Sequence, residues 1–460
     1  MSLVVEFVQE SKLAARPAEV FRWHARPGAF ERLVPPWERV ELVRSDGSLE
    51  VGSQVEVRAW IGPFPCIWRA EHTEYSANER FVDVQLEGPF ASWRHEHEML
   101  AAGPGSCRLR DRVEYALPLG GLGRLVAGPF VRRKLERMFR YRHRTTAADL
   151  RRQLDRPEGD RTMIVAVTGA TGLVGSTLVP FLTQSGHEVR RLVRRAARAP
   201  DEVRWDPAAG TLDAAALEGV DAVVHLAGEN IASGRWTAAK MQRIRESRVG
   251  GTRLLAEGLA KLERTPRVVV CASAIGFYGD RGAEELTEAS APGTGFLADV
   301  CRDWEAAADP LRAAGVRVVH LRIGVVLSAR GGALKAMLVP FKLGVAGNMG
   351  SGRQYWSWIV PDDIAAGVAH ALADAGLEGP VNMVSPNAVT NAEFTKTLGR
   401  VLRRPTVLPM PAPAARLVLG KMADDLILAS ARVVPAKLRE SGFEFDYPEL
   451  EGALRHVLGR

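Results

Sequence analysis

Cysteine is scarce in this chain: four in 460 residues (Cys66, Cys107, Cys271, Cys301), far apart and in no metal-ligand spacing. That excludes a disulfide framework and a cysteine-built zinc site, and it fits a reducing compartment. Long apolar runs are missing too. None approaches the ~20 consecutive residues needed to cross a bilayer, so no membrane span is expected. The opening Met1-Ser2-Leu3-Val4-Val5-Glu6 has neither the basic nor the apolar segment of a secretory signal, and the expected location is cytoplasmic. Internal repeats and low-complexity tracts are absent, and nothing in the sequence marks an oligomeric state. With 46% hydrophobic and 25% charged residues the composition is that of a globular protein. Its length calls for two or three domains.

Positive charge exceeds negative by 7. Most of the excess is arginine scattered among acidic residues, which reads as a solvated surface, so no nucleic-acid partner is expected. The one dense basic run, Arg132 to Arg144, carries Leu135, Met138, Phe139 and Tyr141 at roughly helical spacing. It predicts an amphipathic helix whose charged face meets solvent or, alternatively, an acidic membrane or RNA.

A polar stretch with Pro157 and Gly159, residues 155–162, predicts a linker between two bodies. In the first, 1–154, alternating segments at Leu3–Glu10, Gln54–Trp60, Ile67–Thr73, Phe81–Leu86, Arg94–Leu100 and Cys107–Leu117 predict strands. A short helix at Pro17–His24 and a long one at Leu122–Leu154 complete an α+β helix-grip order. Ala18-Glu19-Val20-Phe21, Leu33 to Trp37, Gly62-Pro63, Gly88-Pro89-Phe90 and Phe139 to His143 make this body resemble the polyketide-cyclase/START-like (SRPBCC) superfamily. The resemblance implies an apolar cavity for a hydrophobic ligand. Trp60, Trp68, Phe81, Trp93 and Tyr115 either line it or simply fill a core. His95 and His97 share one strand face, but no third metal ligand is evident at a plausible spacing, so they read as surface or structural histidines and no metal is expected.

The second body, 163–403, alternates strands (Met163–Thr168, Glu188–Val193, Ala222–Ala227, Arg267–Ala272, Val316–Ile323) with helix-length segments, the rhythm of a doubly wound α/β Rossmann sheet. From 404 to 460, Pro405, Pro409, Pro411 and Pro413 precede helical stretches at Ala414–Ala429 and Leu450–Leu458, a C-terminal appendage. Between the first strand and helix lies Gly169-Ala170-Thr171-Gly172-Leu173-Val174-Gly175. Strand, glycine turn and helix form the setting in which glycines hold a dinucleotide pyrophosphate. Gly169 permits the tight turn, Gly172 the approach of phosphate, and Gly175 close helix–strand packing. An NAD enzyme places a carboxylate about 20 residues on, at the ribose 2′-hydroxyl. Here Arg194 and Arg195 stand there, suited to a 2′-phosphate, so the expected cofactor is NADP (NADPH).

The Gly-x-x-Gly-x-x-Gly spacing resembles the extended, epimerase-like short-chain dehydrogenases/reductases. A narrower resemblance rests on Ala227 to Ala232, Gly234 to Thr237, Ser247-Arg248-Val249, Ala272 to Gly279, Trp304-Glu305, Arg322 to Ser328, Gly350 to Gln354, Trp358 to Asp363 and Asn391 to Phe394. Together these are similar to the atypical, uncharacterised epimerase family of that superfamily. The resemblance implies that Leu226, Ala227, Gly228 and Arg248 face the cofactor, and that Glu229 and Arg353 face a small-molecule substrate, with Trp356 and Trp358 placed to stack a ring. It also implies Ser/Thr and Tyr-x-x-x-Lys catalysis, with lysine lowering the tyrosine pKa. The chain departs from that pattern: Phe296 or Leu297 fills the tyrosine slot and Cys301 the lysine slot. Ser273 and Tyr278 are left as the catalytic candidates. Two readings stay open, an NADP-dependent epimerase or oxidoreductase and a catalytically degenerate NADP-binding sensor or regulator.

Overall fold

The structure, a computed structural model, describes residues 4–154 and 162–460. The linker expected at 155–162 lies outside the described residues except for Thr162. Two compact units result, one drawn almost wholly from the chain before residue 155 and one from the chain after 161. None of the described helices is long and apolar enough to cross a membrane.

The first unit is a seven-stranded sheet, β1 (Val5–Leu13), β2 (Val40–Ser45), β3 (Gln54–Ile61), β4 (Phe64–Ser76), β5 (Arg80–Glu87), β6 (Ser92–Ala101) and β7 (Cys107–Ala116). Its order is β1-β7-β6-β5-β4-β3-β2, and every neighbouring pair is antiparallel. Helices α1 (Pro17–Ala25), α2 (Ala29–Leu33) and α3 (Gly120–Leu154) pack with it, the expected helix-grip arrangement. Period-two alternation decides what is buried. In β7, Cys107, Leu109, Asp111, Val113 and Tyr115 are all buried. Phe7, Trp93, Val113, Tyr115, Leu135 and Phe139 form one core, and α1 contributes Val20, Phe21 and Trp23 to another with Phe81. The aromatics Phe81, Trp93 and Tyr115 therefore serve as core, whereas Trp60 lies half-buried beneath the Arg39 guanidinium, 3.8 Å from its ring centroid. His95 and His97 are not on the surface: both are buried beside Asp111. Strand β2 escaped the sequence reading because it is an exposed edge, with no buried residue to create a pattern.

The second unit has β8 (Ile164–Thr168), α4 (Gly175–Gln184), β9 (Glu188–Val193), β10 (Glu202–Asp206), β11 (Thr211–Leu212), β12 (Ala222–His225), α5 (Ala238–Leu259), β13 (Val268–Ala274), α6 (Phe296–Ala306) and α7 (Asp309–Ala313). Then come β15 (Arg317–Ile323), α8 (Gly332–Leu343), α9 (Pro361–Ala373), β19 (Gly379–Met383) and α10 (Asn391–Leu402). Two-residue ladders β14 (Glu285–Leu286), β16 (Val325–Val326), β17 (Tyr355–Trp356), β18 (Trp358–Ile359), β20 (Val389–Thr390) and β21 (Arg432–Val433) tie the loops. The main sheet runs β11-β10-β9-β8-β12-β13-β15-β19, parallel except at β11. Its central strands are apolar and buried along their length, as a sheet covered on both faces requires. Strand order reverses between β8 and β12, and such a switch point opens a crevice at the carboxyl ends.

The helix expected at Ala414–Ala429 is broken. Helix α11 (Ala412–Leu419) stops at Gly420, whose φ of 63° leaves the helical region, and a wider π turn follows at Ala423–Leu428. Helix α12 (Ala436–Glu440) leads to α13 (Leu450–Leu458), which buries Leu450, Leu454 and Val457 against Trp356, Phe394 and Leu398.

Candidate active site

At the switch point the glycine turn has no room for side chains. Gly169 has φ 68°, and a Cβ there would sit 3.0 Å from Ala227 N. A Cβ on Gly175 would come within 2.2 Å of Gly169 O. Gly172 closes the turn through its N–H to Gly169 O at 2.9 Å. The N–H groups of Thr171, Leu173 and Val174 find no acceptor among the described residues. Thr171 and Gly172 are exposed at the start of α4. A nest of free N–H groups at a helix N-terminus is an anion site, so the cradle fits a dinucleotide pyrophosphate.

Thr168 holds the second wall of this cradle. Its Oγ1 accepts the N–H groups of Leu226 (3.0 Å) and Ala227 (3.1 Å), so its own proton goes to His225 Nδ1 at 2.7 Å. His225 then donates from Nε2 to Thr252 Oγ1 at 3.0 Å, which also accepts Trp304 Nε1–H at 2.8 Å. Burial pushes His225 down to about 4, so the ring is neutral and holds this single tautomer. Two strands and two helices are thereby locked behind Leu226-Ala227-Gly228.

Arg248 from α5 lies against Gly228, where an added Cβ would be 3.3 Å from its guanidinium carbon. It donates to Glu229 O (3.1 Å) and Ile244 O (3.2 Å) and forms no salt bridge with a carboxylate among the described residues. Burial lowers its pKa, the mark of a cation short of a counter-charge. After β9 the two arginines differ. Arg195 is held bidentately by Glu202, at 2.7 Å on each oxygen, and this contact keeps Glu202 down at about 2. Arg194 is exposed and forms no ion pair among the described residues.

Beyond the cradle, a buried ionic chain joins the two catalytic candidates. Ser273 Oγ, at the end of β13, donates to Glu305 Oε1 at 2.7 Å. Arg322 from β15 donates to both Glu305 oxygens at 2.9 Å and to Tyr278 Oη at 2.9 Å. Tyr278 Oη in turn donates to Asn382 Oδ1 at 2.7 Å, and Arg322 covers the Phe277 ring at 3.4 Å. Burial works to raise the Glu305 pKa, yet Arg322 holds it below the ordinary carboxylate value. For Tyr278 burial dominates and raises the phenol, which is wholly enclosed. The phenol ties Arg322 to Asn382 within the network. Cys301 is no substitute for lysine: burial pushes its thiol to about 12, and its Sγ contacts Ala274 O at 3.7 Å.

Glu229 is half-buried and paired with Lys240 Nζ at 2.6 Å. Arg353 is exposed in the turn before β17, with its N–H on Ser351 Oγ at 3.2 Å. The tryptophans that follow do not stack a ring from outside. Trp356 and Trp358 are core residues, their indole N–H groups spent on Ile427 O (3.2 Å) and Asn387 O (3.0 Å). Sequence reasoning does not single out Glu305, Arg322, Thr168 or Thr252, which the fold brings into these networks. Glu305 and Arg322 stood inside the family-like segments, but only the β13–β15 pairing brings Ser273 opposite Arg322.

Comparison with known proteins agrees with this geometry. Residues 165–383 match the NAD dependent epimerase/dehydratase family, and residues 4–152 match polyketide cyclase / dehydrase and lipid transport. Residues 410–457 match a domain of unknown function, DUF1731. Epimerase family protein Mb2239 of Mycobacterium bovis is 42% identical over 297 residues, 65% of this chain and 98% of that protein. A crystal structure of the nucleoside-diphosphate sugar epimerase from Corynebacterium glutamicum is 34% identical, covering 98% of this chain and 90% of that one, with a TM-score of 0.81. Human epimerase family protein SDR39U1 (isoform 2), solved with NADPH, is 34% identical over 64% of this chain and 99% of that one, with a TM-score of 0.58.

Proposed function

The chain belongs to the epimerase family of the extended short-chain dehydrogenases/reductases, with a polyketide-cyclase-like domain ahead of it, and from that premise we propose that it is an NADP-dependent epimerase or oxidoreductase acting on a small molecule. The observation that carries this reading is the cradle of Gly169, Gly172 and Gly175 facing Ala227 at the strand-order reversal. Its free N–H groups would hold the pyrophosphate, Arg248 would supply a nearby positive charge, and Arg194 would meet the 2′-phosphate. The relative solved with NADPH supports the choice of dinucleotide. Arg195 acts at one remove, keeping Glu202 neutralised so that no free carboxylate opposes the phosphate. Bound dinucleotide supplies hydride transfer. The acid–base partner nearest to hand is Ser273, whose proton already rests on ionised Glu305. When the substrate hydroxyl is oxidised, Ser273 Oγ would accept its proton as the Ser273 proton moves to Glu305, with Arg322 steadying the charge; reduction would run both transfers in reverse. Glu229 and Arg353 remain the substrate contacts we propose.

Fluorescence titration with NADPH and NADH is the test. Arg194→Ala should weaken NADPH by about tenfold while leaving NADH nearly unchanged; equal losses would refute the 2′-phosphate assignment. The second reading, a catalytically degenerate NADP-binding regulator, draws on the enclosed Tyr278 and on Cys301, whose thiol burial pushes up to about 12. It prevails if the protein binds NADPH yet neither oxidises it nor interconverts any member of a nucleotide-sugar and carbonyl panel. Turnover that Ser273→Ala abolishes, with NADPH binding retained, establishes the enzyme.

A further inference from the structure

The first unit holds a buried cluster of histidines and carboxylates that the dinucleotide chemistry does not use. Strand pairing assembles it. Asp83 of β5 lies opposite His95 of β6, and His97 of β6 lies opposite Asp111 of β7. His95 Nδ1 is 3.3 Å from Asp83 Oδ2, and His95 Nε2 is 2.9 Å from Asp111 Oδ1. His143, reaching in from α3, places Nε2 2.6 Å from Asp111 Oδ2. His95, His97, Asp111 and His143 all retain under a tenth of their side-chain exposure, while Asp83 keeps 18% and marks the way in from solvent.

The bonding leaves room for one more partner. His97 Nδ1 is 2.6 Å from Asp111 Oδ1, but off the line of an N–H bond, and it makes no hydrogen bond among the described residues. His143 Nδ1 is likewise without one. Unpartnered nitrogens in so buried a place are unusual.

We propose that Asp83, His95 and His97 form a binding site for a divalent transition-metal cation of the Zn2+ class. One ligand atom from each lies within 4.8 Å of the others. Bonds of ~2.0–2.1 Å in a tetrahedron put ligand atoms about 3.4 Å apart, so the cluster needs only small side-chain adjustments to close. Asp111 is the orienting carboxylate. By accepting His95 Nε2–H it fixes the tautomer and turns Nδ1 toward Asp83, the carboxylate–histidine–metal arrangement of natural sites. Three protein ligands leave a fourth position for water or another oxygen donor. Two imidazoles with a carboxylate favour Zn2+, Co2+ or Fe2+ over Ca2+ or Mg2+.

Co2+ titration of the chelator-treated full chain tests this, followed by visible absorption and by displacement with Zn2+. One equivalent should give the d–d spectrum of a low-coordinate N/O site, and Zn2+ should erase it. His97→Gln and Asp83→Asn should each remove the spectrum while circular dichroism stays that of the parent. Asp111→Asn should keep the stoichiometry and weaken binding by about 10- to 100-fold. A wild-type chain that takes up neither Co2+ nor Zn2+ at stoichiometric concentration overturns the site. So does a spectrum that survives unchanged in His97→Gln and Asp83→Asn.

Discussion

Gly175 tolerates no side chain, since its missing Cβ would stand 2.2 Å from the Gly169 carbonyl oxygen. Backbone and not a flexible side chain is the obstacle, so Gly175→Ala must displace the turn at Gly169 and Ala170. We expect NADPH affinity to fall by at least about tenfold, measured by fluorescence titration, with the helical circular dichroism retained; unchanged affinity would contradict the cradle. The buried pair Glu305–Arg322 gives a second prediction. Glu305→Gln leaves the Arg322 guanidinium, almost wholly enclosed, without its counter-charge. Breaking such a pair costs on the order of 3 kcal/mol, readable as a lower urea midpoint at pH 7. Single residues were legible where chemistry is local: the three glycines of the turn announce themselves by type and spacing. The surroundings of Tyr278 were not, because its burial and its bond to Asn382 arise only in the folded chain.

Element by element, the apolar runs identified β8, β12 and β13, since strands covered on both faces are largely apolar, while β9 and β15, which carry arginines, were placed by the strand–helix rhythm. Strand β10, Glu-Val-Arg-Trp-Asp, and β19, which starts Gly-Pro, lack that run and form through pairing with β9 and β15. What holds the elements together at the site is a side-chain chain no periodicity reveals. Thr252 of α5 receives His225 of β12 and Trp304 of α6. Thr252→Val keeps the volume but strands two buried donors, at about 1–3 kcal/mol. Thermal unfolding should show the loss. If Thr252→Val matches the parent in Tm, the hydrogen bonds are not what locks the cradle wall.

Across the whole molecule, pH should act through buried neutral histidines. Burial pushes His225 and His320 from the ordinary 6.5 to about 4. Between those values the unfolded chain binds more protons than the folded one, so stability falls as pH drops from 6.5 toward 4. Each group contributes about 3 kcal/mol over that span. Urea midpoints measured at pH 7 and pH 5 should decline, and less steeply in His320→Gln; a midpoint that rises on acidification would reverse the sign. The sequence alone determined the two-body plan, the Rossmann sheet and the dinucleotide turn, because hydrophobic periodicity and glycine spacing are local consequences of backbone geometry. Tertiary structure alone decided which of two adjacent arginines is free, that Tyr278 is sealed, and that Asp83 and Asp111 meet His95 and His97. Those facts depend on strand register and burial, which bring together side chains that chain spacing keeps apart.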